Sequence, residues 1–177
     1  NSAVLQNMLE QNTPSLPMLE STDDMADLLA SYRRRAARLL ADRLKVYLDQ
    51  IAGNQWWDKC VATSLTNDQM MVAQYNHYRE LEDFDLAALV RIAKCNWNTI
   101  SNRCQVNPEG ERILIALGTI RNKGAHESAK APALSYIRAS METLVEFFEA
   151  FGAEPSLLDQ ATQYLNTLKS YSGGEEQ

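Results

Sequence analysis

Arg121 and His126 are the two residues of this sequence best suited to chemistry on a phosphodiester. A planar guanidinium can hold two phosphate oxygens at once, and an imidazole titrates close to neutral pH, so it can take or give a proton. Cutting an RNA strand without a metal needs that combination. A base must deprotonate the 2′-hydroxyl, an acid must protonate the leaving 5′-oxygen, and positive charge must meet the non-bridging oxygens. The pair stands five positions apart, which on an unbroken helix separates the side chains by about 140°, too far to share a face. Gly124 lies between them and is a ready helix terminator, so a turn there lets the imidazole swing toward the guanidinium. Between them stand Asn122 and Lys123, the latter a candidate RNA-binding residue.

One chain supplies too few proton-transfer groups for both halves of the reaction. It holds 2 histidines, His77 and His126, and nothing in the sequence brings His77 close. A two-fold homodimer would set two copies of Arg121 and His126 around one cleft. An Arg and a His this close also occur often by chance, so the surrounding elements must carry the case.

Those elements read as helices. Gly (7) and Pro (5) are scarce among 177 residues, and Leu, Ala, Glu, Gln, Arg and Met are plentiful, which favours an all-α fold over a multi-stranded sheet. Residues 1–20 are polar and interrupted by Pro14 and Pro17, which predicts a flexible N-terminal arm. Ser2 to Gln6 also resembles a viral main-protease cleavage site; a processing remnant and native sequence both fit. From the caps at Ser21 to Asp24, apolar residues at helical spacing predict one long helix ending at Gly53-Asn54. Trp56-Trp57 opens a short helix, and Thr66 to Gln69 caps another through Met70, Met71, Val72, Tyr75 and Tyr78, whose aromatics are expected in the core. Asp83 to Asp85 caps a strongly periodic helix with Leu86, Leu89, Val90, Ile92, Ala93 and Trp97 on its apolar side. Pro108-Glu109 starts the helix whose end leads into Arg121, and Pro132 restarts the chain into a long helix closed by Gly152. A last amphipathic helix runs to Tyr171, and 172–177 read as a flexible tail or the start of a linker.

The formal charge of −6 argues against a broad electrostatic grip on nucleic acid, so any RNA contact must be local. The one dense positive segment is Arg33-Arg34-Arg35 with Arg38, Arg43 and Lys45 on the first helix; Arg33 and Arg34 are its candidate RNA-binding residues. The plainer reading of such a run is a solvated helix face paired with Asp42 or Asp49. Three widely spaced cysteines and 2 histidines form no tetrahedral metal set, which predicts a reduced, cytoplasmic protein with no metal and no cofactor. No apolar run reaches the roughly 20 residues needed to cross a bilayer, and no membrane partner is expected.

The segment Leu117 to His126 resembles the signature of HEPN domains, with its Arg, polar residue and following His near a helix end. The stretch Phe84 to Trp97 is similar to the helix before that motif in the branch named for the Swt transcript-surveillance endoribonuclease, common in bacterial defence proteins. Trp57 and the long first helix fit the same branch, and the resemblance covers roughly 26–151. This chain has Gly124 where members of the branch often carry a bulky aromatic. The resemblance implies a HEPN-like helical bundle with long antiparallel helices over 21–171. It also implies dimerisation through the motif face and metal-independent cleavage of RNA to a 2′,3′-cyclic phosphate, with Arg121, Asn122 and His126 as catalytic residues. The alternative it leaves open is a non-catalytic RNA-binding or dimerisation module of a larger fused or associated ATPase or helicase.

Overall fold

The computed structural model describes residues 22–120 and 132–171, and among these every regular element is a helix. Six are α-helices: α1 (Thr22–Ala52), α2 (Asn67–Tyr75), α3 (Leu86–Arg103), α4 (Gly110–Gly118), α5 (Leu134–Ala150) and α6 (Pro155–Ser170). The all-α expectation holds. The expected arm 1–20 and tail 172–177 lie outside the described residues.

The long first helix forms because Met25, Leu29, Tyr32, Ala36, Leu40, Leu44 and Leu48 recur every three or four positions and are all buried. Asp23 and Asp24 in its first turn suit the positive end of the helix dipole. It stops before Gly53, whose φ of +56° no other residue type adopts as cheaply.

Contacts along α1 fix the directions of its neighbours. Tyr164 Oη on α6 donates to the Met25 carbonyl at 3.2 Å, while Arg35 Nη1 donates to Gln160 Oε1 at 3.4 Å, so α6 runs antiparallel to α1. Tyr32 stacks on Tyr164 with ring centres 5.8 Å apart, and burial pushes the Tyr164 phenol above its ordinary range. Helix α3 runs the other way. The Tyr47 ring meets Trp97 edge-on at 6.5 Å and Arg103 Nη1 reaches to 3.5 Å from the Ile51 carbonyl oxygen, so positions on α1 and α3 advance together. Helix α4 then returns antiparallel to α3, with Gly110 under Trp97 and Gly118 against Val90. The bundle therefore contains antiparallel pairs and also parallel ones, α1 with α3 and, with Arg33 beside Tyr136 and Arg43 bonded to Phe151, α1 with α5.

Helix α5 supplies the centre of the core through Ile137, Met141, Leu144, Phe147 and Phe148, all fully buried. Its C-terminal end is held from α1: Arg43 donates from Nε to the Phe151 carbonyl at 2.8 Å and from Nη2 to the Gly152 carbonyl at 2.9 Å. These carbonyls are among those a helix end leaves unpaired, and a charged donor satisfies them well.

The segment between α1 and α3 differs in part from expectation. Trp57–Val61 forms a π-turn, in which the Ala62 N–H donates to the Trp57 carbonyl at 2.9 Å. Asn96 Nδ2 on α3 donates to the Cys60 and Ile92 carbonyls at 2.9 and 2.8 Å, tying that turn to the bundle. The Thr66 cap is present, with Thr66 and Gln69 forming a reciprocal capping box at the start of α2. The apolar side chains that follow are not core: Met71 is 66% exposed, Val72 48% and Tyr75 85%, and Ala73 is the one buried residue of α2. Nine residues give this helix too little length to lay a full stripe on the bundle, so its outer residues face solvent.

Candidate nucleic-acid interface

The parallel packing of α1 and α3 brings their N-terminal halves side by side, and a cleft of about 1320 Å³ opens between them. One wall is Ala30, Arg33, Arg34, Ala37 and Arg38 of α1; another is Leu86, Ala87, Val90, Arg91, Lys94 and Cys95 of α3. Leu117, Gly118 and Ile120 border it from the end of α4.

Five cations line this cleft, Arg33, Arg34, Arg38, Arg91 and Lys94, against two carboxylates, Glu82 and Asp85. Helical geometry puts them there. Arg34 and Arg38 are one turn apart on α1, and Arg91 and Lys94 are three positions apart on α3, so each pair projects from one face of its helix. The opposite face of α3 carries the buried Leu89, Ile92, Ala93 and Trp97.

The cations differ in how they are held. Arg91 Nε donates to the Ser64 carbonyl at 2.6 Å, which fixes the guanidinium at the cleft and leaves its terminal nitrogens available. Arg33 is half-buried beside Tyr136. Burial lowers its pKa, but an arginine starts so far above neutrality that the charge persists. Arg34, Arg38 and Lys94 are exposed, and no described carboxylate pairs with them.

The basic run of α1 is thus divided by the fold. Arg33, Arg34 and Arg38 face the cleft, whereas Arg35 lies over the Tyr32 ring at 5.1 Å and bonds Gln160, and Arg43 clamps the end of α5. The pairing of this run with Asp42 or Asp49, which the plainer reading anticipates, is absent among the described residues. Sequence reading missed Arg91 and Lys94. Their three-residue spacing opposite an apolar stripe was visible, but only packing beside α1 makes them partners of a run more than fifty positions earlier.

Helix α4 ends at Gly118, and the carbonyls of Ala116 and Leu117 accept the N–H groups of Thr119 and Ile120 at 3.1 Å each. Ile120, buried and at the cleft border, is covalently followed by Arg121. Arg121, Asn122, Lys123 and His126 themselves lie outside the described residues. The other histidine, His77, is exposed in the turn after α2, beside Trp57, Tyr78 and Arg79 and away from the cleft.

Trp56 and Trp57 are half-buried and meet edge-on at 5.5 Å, with Trp57 packed on Phe84 at 5.7 Å, which is the packing role expected of them. Among the described residues no cluster of three or more His, Cys, Asp or Glu is placed to hold a metal ion, and no helix is long and apolar enough to cross a membrane. No family model, curated protein or solved structure matches the chain.

Proposed function

We propose that this chain is a HEPN-type, metal-independent endoribonuclease domain that cuts RNA to a 2′,3′-cyclic phosphate as a homodimer. The observation that carries the proposal is the five-cation cleft, whose bordering residue Ile120 leads directly into Arg121. In a chain of formal charge −6, such a local concentration of Arg and Lys attracts a polyanion to one place.

In this reading the cleft, with Arg33 and Arg34 in one wall, holds the strand near the motif. Arg121 stabilises the charge that develops on the phosphorane, His126 moves the proton and Asn122 orients the reacting group; Lys123 adds charge. The second protomer supplies the second imidazole that in-line cleavage with both a base and an acid calls for. The resemblance of 117–126 to the HEPN signature supports these roles.

The test is cleavage of RNA by the purified chain in excess chelator, beside His126→Ala. Chelator-resistant cleavage that the variant lacks is expected, with products ending in a cyclic phosphate. Equal activity in both overturns the assignment; strong binding with no cleavage by either leaves an RNA-binding module instead.

A further inference from the structure

Three of the polar residues that line the cleft beside its cations are already engaged in the fold. Asp85 Oδ1 accepts from the Ala88 N–H at 2.9 Å as the cap of α3. Thr66 Oγ1 accepts from the Gln69 N–H at 3.2 Å, and Gln69 Oε1 from the Thr66 N–H at 3.0 Å. These three acceptors are spent on helix caps; those left over are carboxylate oxygens of Glu82 and Asp85, which repel the phosphates of a strand. The cleft has no stacking platform either. Its single aromatic, Phe84, is 5% exposed and packed between Trp57 and Tyr78, and apart from Glu82 and Cys95 the remaining lining is Ala, Leu, Val, Ile and Gly.

Single-strand recognition that depends on bases uses exposed rings and free donor and acceptor pairs; telling RNA from DNA uses contacts to the 2′-hydroxyl. This cleft offers chiefly positive charge. Arg34 and Arg38 are separated by one helical turn, about 6 Å along the axis, a spacing comparable with that of successive phosphates in an extended strand. Arg91 and Lys94 face them from the other wall.

We propose that the cleft between α1 and α3 is a phosphate track that holds a single nucleic-acid strand by consecutive phosphates, blind to base and to sugar. This deepens the ribonuclease reading and rests on it for biological meaning, since it assigns substrate choice to the motif rather than to the cleft. A deoxy strand, which has no 2′-hydroxyl to attack the phosphate, would be held without being cut and would compete with RNA.

The experiment is fluorescence-anisotropy titration of the full chain with 10-mers of uridine, adenosine, deoxythymidine and abasic deoxyribose, across a range of salt concentrations. Affinities within about threefold of one another are expected, all falling with salt at one common slope. Arg34→Gln and Lys94→Gln should each reduce that slope by about 0.7, the counterion release of one single-strand phosphate contact. A preference above tenfold for one base, failure of the abasic strand to bind, or a parental salt slope in a variant carrying both Arg34→Gln and Lys94→Gln would overturn the proposal. The unmodified protein alone decides the first two, whatever the variants' stability. Deoxy strands bound while RNA stays uncut would leave the track standing and remove the ribonuclease; RNA cut while deoxy strands fail to bind would do the reverse.

Discussion

Gly110 and Trp97 are packed so closely that a Cβ built on the glycine would lie 2.5 Å from Cζ2 of the indole. The contact joins the start of α4 to the last turns of α3, and Trp97 in turn meets Tyr47 and Phe151, so the indole bridges α1, α3 and the end of α5. Gly110→Ala must displace a buried ring that has little room to move, and overpacking of this kind costs about 1–3 kcal/mol. Trp97→Ala removes the ring and should cost roughly 3–5 kcal/mol. Urea denaturation of each variant measures both. A Gly110→Ala protein as stable as the parent would mean that the ring shifts without cost.

The limits of the helices were legible because local chemistry sets them. Gly53 ends α1, the Thr66 and Asp85 hydroxyl and carboxylate caps open α2 and α3, and Gly152, at φ +73°, follows α5. Trp97 was readable as core from its place in an apolar stripe. The solvent-facing side of α2 was not, because Met71, Val72 and Tyr75 have core composition and only the missing partner surface leaves them outside. The cleft was half legible: Arg33 and Arg34 stood out as a run, while Arg91 and Lys94 belong with them only through parallel packing that no local pattern encodes. The motif at 121–126 was read from residue types and resemblance, and the described residues stop at its border.

Asp83 should leave a signature at acid pH. Its Oδ2 accepts the N–H groups of Arg79 and Glu80 at 2.9 and 3.0 Å, and these bonds hold the carboxyl pKa below its ordinary value. A depressed pKa in the folded state means that the stabilisation is present above the unfolded value, near 4, and is lost as pH falls through the folded one. Asp83→Asn cannot titrate. The difference in melting temperature between parent and variant should therefore be constant above about pH 5 and shrink below about pH 4. The effect is small, because the carboxylate is exposed. A difference that stays constant down to pH 2.5, about a unit and a half below the unfolded carboxyl value, would show that these bonds do not favour the charged form.

The three cysteines should react at different rates, and one of them reports on the cleft. Cys60 is buried and Cys104 half-buried, and burial raises both thiol pKa values, whereas Cys95 is exposed in the cleft wall beside Lys94. Alkylation followed by peptide mass spectrometry should label Cys95 first. A saturating deoxythymidine 10-mer should slow that labelling by about tenfold or more, since at saturation nearly every thiol is covered, and leave Cys60 and Cys104 unchanged. Unaltered Cys95 labelling in the presence of tightly bound strand would put the strand elsewhere on the surface.

At the motif, charge and proton transfer can be separated because Arg121 and His126 are proposed for different work. Arg121→Lys keeps a positive charge but loses the planar fork that spans two phosphate oxygens, so cleavage should fall by roughly a hundredfold, the scale of losing one oriented donor to a developing oxyanion. Strand binding should change little, because the cleft cations on α1 and α3 are untouched. His126→Gln removes the group that exchanges a proton near neutral pH while retaining a polar side chain, and general acid–base assistance is typically worth about 10²–10⁴-fold. Its expected product is bound, uncut RNA, with a melting curve like that of the parent. In the parent, the rate of cleavage should follow a bell-shaped pH profile from one neutral and one protonated imidazole across the homodimer, and mixing the parent with an excess of His126→Gln protomers should suppress cleavage through inactive heterodimers. Normal cleavage by His126→Gln ends the catalytic reading. Loss of the fold in that variant makes the histidine structural, and activity that simply follows the amount of parent protein in the mixing experiment removes the shared site.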